Sequence, residues 1–251
     1  MAKINQVRFS RAVKFFEKEM CHRWHVTPYV SRHQPCLFAG VYNMDDVRVI
    51  NAHRAFKVVW SNGVIRPHLF RRLKSNNLVV CQYTDAIDHS MLNGRFKIKK
   101  ARFEIKDYSM FRPTPLGDSI CVYLGSETRK AIYAADQVEA LKEITDRPII
   151  YSWAKKLSRP ELIEQVYNKC FVHFKPALIG GAETANELAL MGRHTVSNGK
   201  GEFYLPYGDL EEAAQIIEVQ AANIGKTVDS VLPDDYFNVG RKWMDINFWK
   251  Q

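Results

Sequence analysis

The sequence predicts an α/β protein of two compact halves, and three observations carry the prediction. Short apolar runs alternate with segments of helical periodicity, as parallel sheets with helical crossovers require. A break at Asp107 to Gly117, bearing Pro113 and Pro115, interrupts that rhythm before it restarts. At 251 residues the chain exceeds a typical single domain, and two halves of roughly 120 residues are each large enough for a core.

In the first half, Phe9 to Met20 reads as a helix capped by Ser10, with Val13, Phe16 and Met20 as its buried stripe and a basic opposite face. Cys36 to Val41 is the first strand, and Met44 to His53 a helix with Asp45 and Asp46 in its first turn. Phe56 to Trp60 is a strand closed by the turn Ser61-Asn62-Gly63, and Leu78 to Cys81 is the next. Ile98 to Ile105 alternates, predicting a late strand whose exposed face carries Lys97, Lys99 and Arg102.

The second half opens on the strand Ser119 to Leu124, followed by the loop Gly125 to Lys130. Asp136 to Ile144 is a helix and Pro148 to Tyr151 a strand. Ser158, Pro160 and Glu161 open another helix as a capping box. Cys170 to Phe174 is a buried strand ending at Pro176, Ala182 to Met191 a helix stopped by Gly192, and His194 to Ser197 the next strand. Asp209 to Val219 is amphipathic, and Asp234 to Trp249 is helix-capable, with Trp243, Ile246 and Trp249 at three-residue spacing.

Gly180 and Gly181 sit where the chain leaves a strand and enters a helix. A ligand can approach that backbone without meeting a Cβ, and the first amides of the helix suit a phosphate. Glu183 and Glu187 fall on a line away from the apolar residues Ala185, Leu188 and Ala189, so Glu187 could accept two hydrogen bonds from a ribose diol. The plainer alternative is an ordinary strand–helix–strand unit with a tight glycine turn and two solvated glutamates.

The run from Gly180 to Gly192, Gly-Gly-Ala-Glu-Thr-Ala-Asn-Glu-Leu-Ala-Leu-Met-Gly, resembles the donor-nucleotide motif of GT-B glycosyltransferases, family 4 in particular. The likeness is close over Ser158 to Ile217, looser over Ser119 to Tyr151, and rests on strand order in the first half. The brevity of the chain is similar to that of the short GT-B enzymes of large algal viruses. The resemblance implies two Rossmann-like domains facing a cleft: 1–112 on the acceptor side, 113–232 binding the donor, and 233–251 returning to the first domain. It also implies a metal-independent, retaining transfer of a hexose from a GDP-mannose or UDP-hexose type of donor to a glycan or glycoprotein acceptor. Gly180, Gly181, Ala182, Glu183 and Thr184 would then hold the diphosphate and Glu187 the ribose. Ile179 stands where the retaining branch carries a second Glu, and the Gly-Ala-x-Thr pattern is also like inverting GT-B enzymes.

A leaving diphosphate gathers negative charge, so cations must join the helix-start amides. The family's loop after the first donor-domain strand supplies them, which points to Gly125, Arg129 and Lys130, with Lys175 beside the motif as a further candidate. Trp153 could stack on the base or shield the core. On the acceptor side His89 and Asp85 are the candidate catalytic groups, with His53 and His68 in the same half. The chain has no Asp-x-Asp triplet, so no metal and no cofactor besides the donor co-substrate is expected.

The formal charge of +9 favours a polyanionic partner: a nucleotide sugar, an anionic membrane face or nucleic acid. Aromatic platforms on a nucleic-acid module are missing, which argues against the last. No apolar run approaches the roughly 20 residues that span a bilayer, and Met1 to Arg8 lacks a signal-peptide core. The expected location is the cytoplasm, that of the host for a viral protein. The five cysteines are spaced like buried small residues, with four of them in predicted strands. The oligomeric state is open. Two other functions compete: a sugar-nucleotide epimerase or hydrolase on the same scaffold, and a non-catalytic protein binding nucleic acid or a membrane surface.

Overall fold

The computed structural model describes residues 2–61, 66–83, 89–92, 94–124, 131–152, 157–177, 180–237 and 239–251. The chain divides into two compact units: Met1–Asp107 with Asp235–Gln251 as unit 1, and Tyr108–Asp234 as unit 2. Each unit is α/β and Rossmann-like, with one wholly parallel sheet of six strands in unit 1 and five in unit 2.

Unit 1 runs β1 (Gln6–Phe9), α1 (Glu17–Trp24), β2 (Thr27–Pro28), β3 (Cys36–Ala39), α2 (Met44–Ala52), β4 (Lys57–Trp60), α3 (Pro67–Phe70), β5 (Leu78–Gln82) and β6 (Lys97–Lys100). The sheet order is β2-β1-β3-β4-β5-β6, so the chain steps one way from β1 and the other way from β3. Strands β3 and β4 are buried on both faces, and they therefore read as unbroken apolar or nearly apolar runs.

The chain from Arg11 to Phe16 is 3-10 helix, Val13 departs from helical angles at φ −128°, and the α-helix starts only at Glu17. This corrects the expected helix from Phe9. Ser10 does not cap it, because its hydroxyl is spent 2.6 Å from the Asp46 carboxylate. That carboxylate also takes Arg8 and the Tyr42 amide, both at 2.9 Å, and so plugs the end of the sheet between β1 and β3. β6 is also shorter than predicted. Arg102 lies beyond it and is buried, with its Nε donating to the Tyr83 carbonyl at 3.2 Å and its guanidinium 4.5 Å from the Tyr236 ring. An aromatic face and a carbonyl compensate a charge that alternation alone had placed in water.

Unit 2 contains β7 (Ser119–Val122), α4 (Ala135–Lys142), β8 (Ile149–Tyr151), α5 (Arg159–Gln165), β9 (Cys170–Lys175), α6 (Ala182–Leu190), β10 (His194–Ser197), β11 (Tyr204–Leu205) and α7 (Leu210–Ala221). Its order, β11-β10-β9-β7-β8, repeats the winding of unit 1 with the reversal between β7 and β9. The segment entering it is packed: Tyr108, Phe111 and Leu116 are buried. An apolar cluster of Ile120, Val122, Val172, Phe174 and Val196 with Val138, Leu141, Ala213 and Ile217 fixes α4 and α7 on one face of the sheet.

The end of the chain is two short helices, a 3-10 turn at Gly240–Met244 and α8 (Ile246–Lys250), where one helix was predicted. Asp245 leaves the helical region at ψ 123° and caps the second by accepting from the Asn247 amide. Both Trp243 and Trp249 are fully buried in the core of unit 1. Among the described residues no helix is long and apolar enough to cross a membrane.

Candidate functional site

In open parallel sheets the crevice for ligands lies at the carboxyl ends of the strands where the winding reverses. In unit 2 that point is the gap between β7 and β9. β9 is buried along its whole length between β7 and β10, and Pro176 ends it.

Gly180 and Gly181 follow, both left-handed, at φ 72° and 66°. A Cβ on Gly180 would stand 2.2 Å from the Tyr133 ring, so any other residue must displace that ring and bear a strained left-handed backbone. Around Gly181 the nearest groups are the Tyr123 side chain, at 3.4 Å from such a Cβ, and Lys175 Cε, at 3.8 Å. Gly181 is also the residue before α6, and no side chain of the described residues caps that helix start. Ala182, Glu183 and Thr184 form its first turn, where amides have no carbonyl partner within the helix.

Strand alternation places His173 and Lys175 on the face opposite Val172 and Phe174, and register puts Thr195 and Ser197 beside them on β10. All four are buried, under α6, which packs on β9 and β10. His173 Nδ1 lies 3.2 Å from Thr195 Oγ1, and its Nε2 has no partner among the described residues. Burial, with Lys175 adding to it, pushes its pKa down to about 3 and holds the ring neutral. Lys175 Nζ donates to the Ala177 carbonyl at 2.5 Å, and burial lowers its pKa to about 8.

Glu187 is not the solvated group that its line on the helix implied. It is 6% exposed, and Tyr167 donates a hydrogen bond to Oε2 at 2.5 Å. Burial first, and then the charge of Glu187, raise the pKa of Tyr167 well above its ordinary value, so the hydroxyl stays a donor. Glu183, half-buried, accepts from Tyr108 at 2.6 Å. The helix thus presents its two carboxylates to tyrosines from the segments before β7 and before β9.

Gly180, Gly181, Ala182, Glu183, Thr184 and Glu187 therefore stand together at one junction in unit 2. Gly125, Arg129, Lys130, Trp153, Ile179 and Asp85 lie outside the described residues. His89 is in unit 1, buried, with Nε2 2.5 Å from Ser61 Oγ, which itself reaches the Cys81 carbonyl at 3.1 Å. His53 is in unit 1, where it closes α2 as the chain turns toward the start of β4. Burial lowers its pKa to about 4, while His68 is exposed. Tyr108, Tyr123, Tyr133, Tyr167, His173, Thr195 and Ser197 also line the junction, and none of them stood out in the sequence. A polar residue at every second position of β9 and β10 was the available signal for the last three. The five cysteines are free thiols, four of them buried. Among the described residues no group of three or more His, Cys, Asp or Glu side chains could hold a metal ion.

No protein-family model matches the chain, and no curated protein matches it. The geometry of the junction carries the functional reading.

The lysine makes a direct prediction. A folded-state pKa of about 8 against an ordinary 10.5 means that the unfolded chain holds more protons between those values. Stability attributable to Lys175 therefore rises with pH across that window, and below about 8 its buried charge works against folding. In denaturant titrations at successive pH values, the parent should gain on the order of 2 kcal/mol relative to Lys175→Met between pH 8 and pH 10.5. A constant difference would show that Lys175 is solvated.

Proposed function

We propose that unit 2 binds a nucleoside-diphosphate sugar and that the protein is a GT-B-type glycosyltransferase. In this reading it moves a hexose from a GDP-mannose or UDP-hexose type of donor to a glycan or glycoprotein. The observation that carries the reading is the pair of left-handed glycines at the winding reversal, delivering an uncapped helix start beside a buried lysine. The amides of Ala182 to Thr184 and the cation of Lys175 are the donors that a departing diphosphate needs, and preorganised donors act where charge develops. A lysine kept buried at a cost to stability is what a ligand-binding role explains. Arg129 and Lys130, which follow β7 in sequence, would add to that charge.

Glu187 would take the ribose. A carboxylate offers about four acceptor positions, so the bond from Tyr167 orients the group without precluding the two that a diol donates. Transfer with retention needs donor positioning above all, and inversion needs a base such as His89 or Asp85 on the acceptor.

Thermal unfolding of the full chain with UDP, GDP and their sugars tests the reading. One of the nucleotides is expected to stabilise by about 2–3 kcal/mol at a hundredfold excess over Kd, and Glu187→Ala to raise that Kd by roughly 5- to 100-fold. No response to any of them at millimolar concentration would end the proposal. Cleavage of a donor sugar without an acceptor product would move it to a hydrolase or epimerase.

A further inference from the structure

The positive charge of the chain belongs to one unit. By sequence, unit 1 carries 23 Lys and Arg against 10 Asp and Glu, a formal +13, and unit 2 carries 13 against 17, a formal −4, which together make the +9 of the whole. A donor site in unit 2 does not account for such a surplus in unit 1.

Within unit 1 the segment from Arg11 to Trp24 has a buried side and an exposed side. The inward one, Val13, Met20 and Trp24, joins the core. The outward one is Arg11, Phe15, Lys18 and His22, all exposed, with Lys14 alongside. Phe15 is 72% exposed among these cations, its ring 4.1 Å from the half-buried Phe16. Of these cations only Lys14 has an ion-pair partner among the described residues, Glu17. An exposed phenylalanine among exposed cations has two needs at once, an apolar medium for the ring and anions for its neighbours. The headgroup boundary of an anionic bilayer supplies both. A nucleic-acid duplex would satisfy the cations, but its bases are already stacked on one another and would leave the ring in water.

We propose that the outward face of Arg11 to His22 docks unit 1 on an anionic lipid surface, with Phe15 inserted among the acyl chains and Arg11, Lys14 and Lys18 at the headgroups. The 3-10 turn starts directly after β1, so docking brings the carboxyl edge of that strand toward the lipid. The inference stands apart from any ligand of unit 2.

Sedimentation of the full chain with vesicles of phosphatidylcholine, with and without phosphatidylglycerol, provides the test. Binding is expected only to the anionic vesicles, weakened about tenfold by Phe15→Ser and at least fivefold by Lys18→Glu. Both side chains are exposed, so the variants should melt with the parent. Absence of vesicle binding, equal binding of parent and Phe15→Ser, or binding to duplex DNA that exceeds binding to vesicles would each overturn the proposal.

Discussion

Replacing Arg193 by methionine is expected to cost unit 2 about 3–5 kcal/mol, the range for removing one member of a buried charged constellation. Arg193 is completely buried, and burial lowers its pKa only to about 10, so it stays a cation at neutral pH. It is surrounded by main-chain oxygens: Nε donates to Cys170 at 3.1 Å, Nη1 to Thr114 at 3.0 Å and to Met191, and Nη2 to Pro115 at 2.8 Å. One guanidinium therefore joins the segment entering unit 2, the start of β9 and the end of α6. Methionine fills much of the volume but leaves four carbonyls without that donor. Lysine should recover only part of the loss, because a single ammonium cannot span the fork. Native-state hydrogen exchange at the amides of β9 and α6 reads the effect in unit 2 alone. Unchanged protection would mean that the carbonyls find water and the guanidinium is dispensable.

Trp243→Ala should destabilise unit 1 by a similar amount, about 3–5 kcal/mol. Its ring stacks on Phe103 at 5.0 Å and meets the edge of Trp24 at 5.8 Å, while its carbonyl accepts from Trp249 Nε1 at 2.6 Å. Removing it opens a cavity against residues from α1 and from beyond β6. The indole nitrogen of Trp243 has no partner among the described residues, so Trp243→Phe sheds an unsatisfied donor and should cost much less. Denaturant unfolding followed by tryptophan fluorescence suits this pair, since four of the five tryptophans lie in unit 1. Equal losses for the two variants would contradict the packing account.

Elements with local causes were legible in the sequence. The capping box of Ser158 and Glu161 forms as read, with the Ser158 amide donating to Glu161 at 2.7 Å, and α2 starts at Met44 as read, with the loop residue Asn43 as its cap through the Asp46 amide. β1, the strand beside which the winding of unit 1 reverses, was not legible. Its Gln6 and Arg8 look like surface residues, yet Gln6 is buried and satisfied by the backbone of Val30, Ser31 and Gln34, some 25 residues away. The site divides in the same way. Two adjacent glycines before a helix announce a backbone that only glycine adopts freely. The tyrosine on Glu187 comes from 20 residues upstream, and no spacing rule connects them. Ser10 failed as a predicted cap because a carboxylate 36 residues on competes for its hydroxyl.

The most direct test of the account is the response of backbone amides, observed by NMR on the full chain, as UDP or GDP is added. The predicted result is that the largest shifts fall on Gly181, Ala182, Glu183 and Thr184, and that they diminish in Lys175→Met. A nucleotide that binds while leaving those four amides unmoved, or no binding at millimolar concentration, would contradict it.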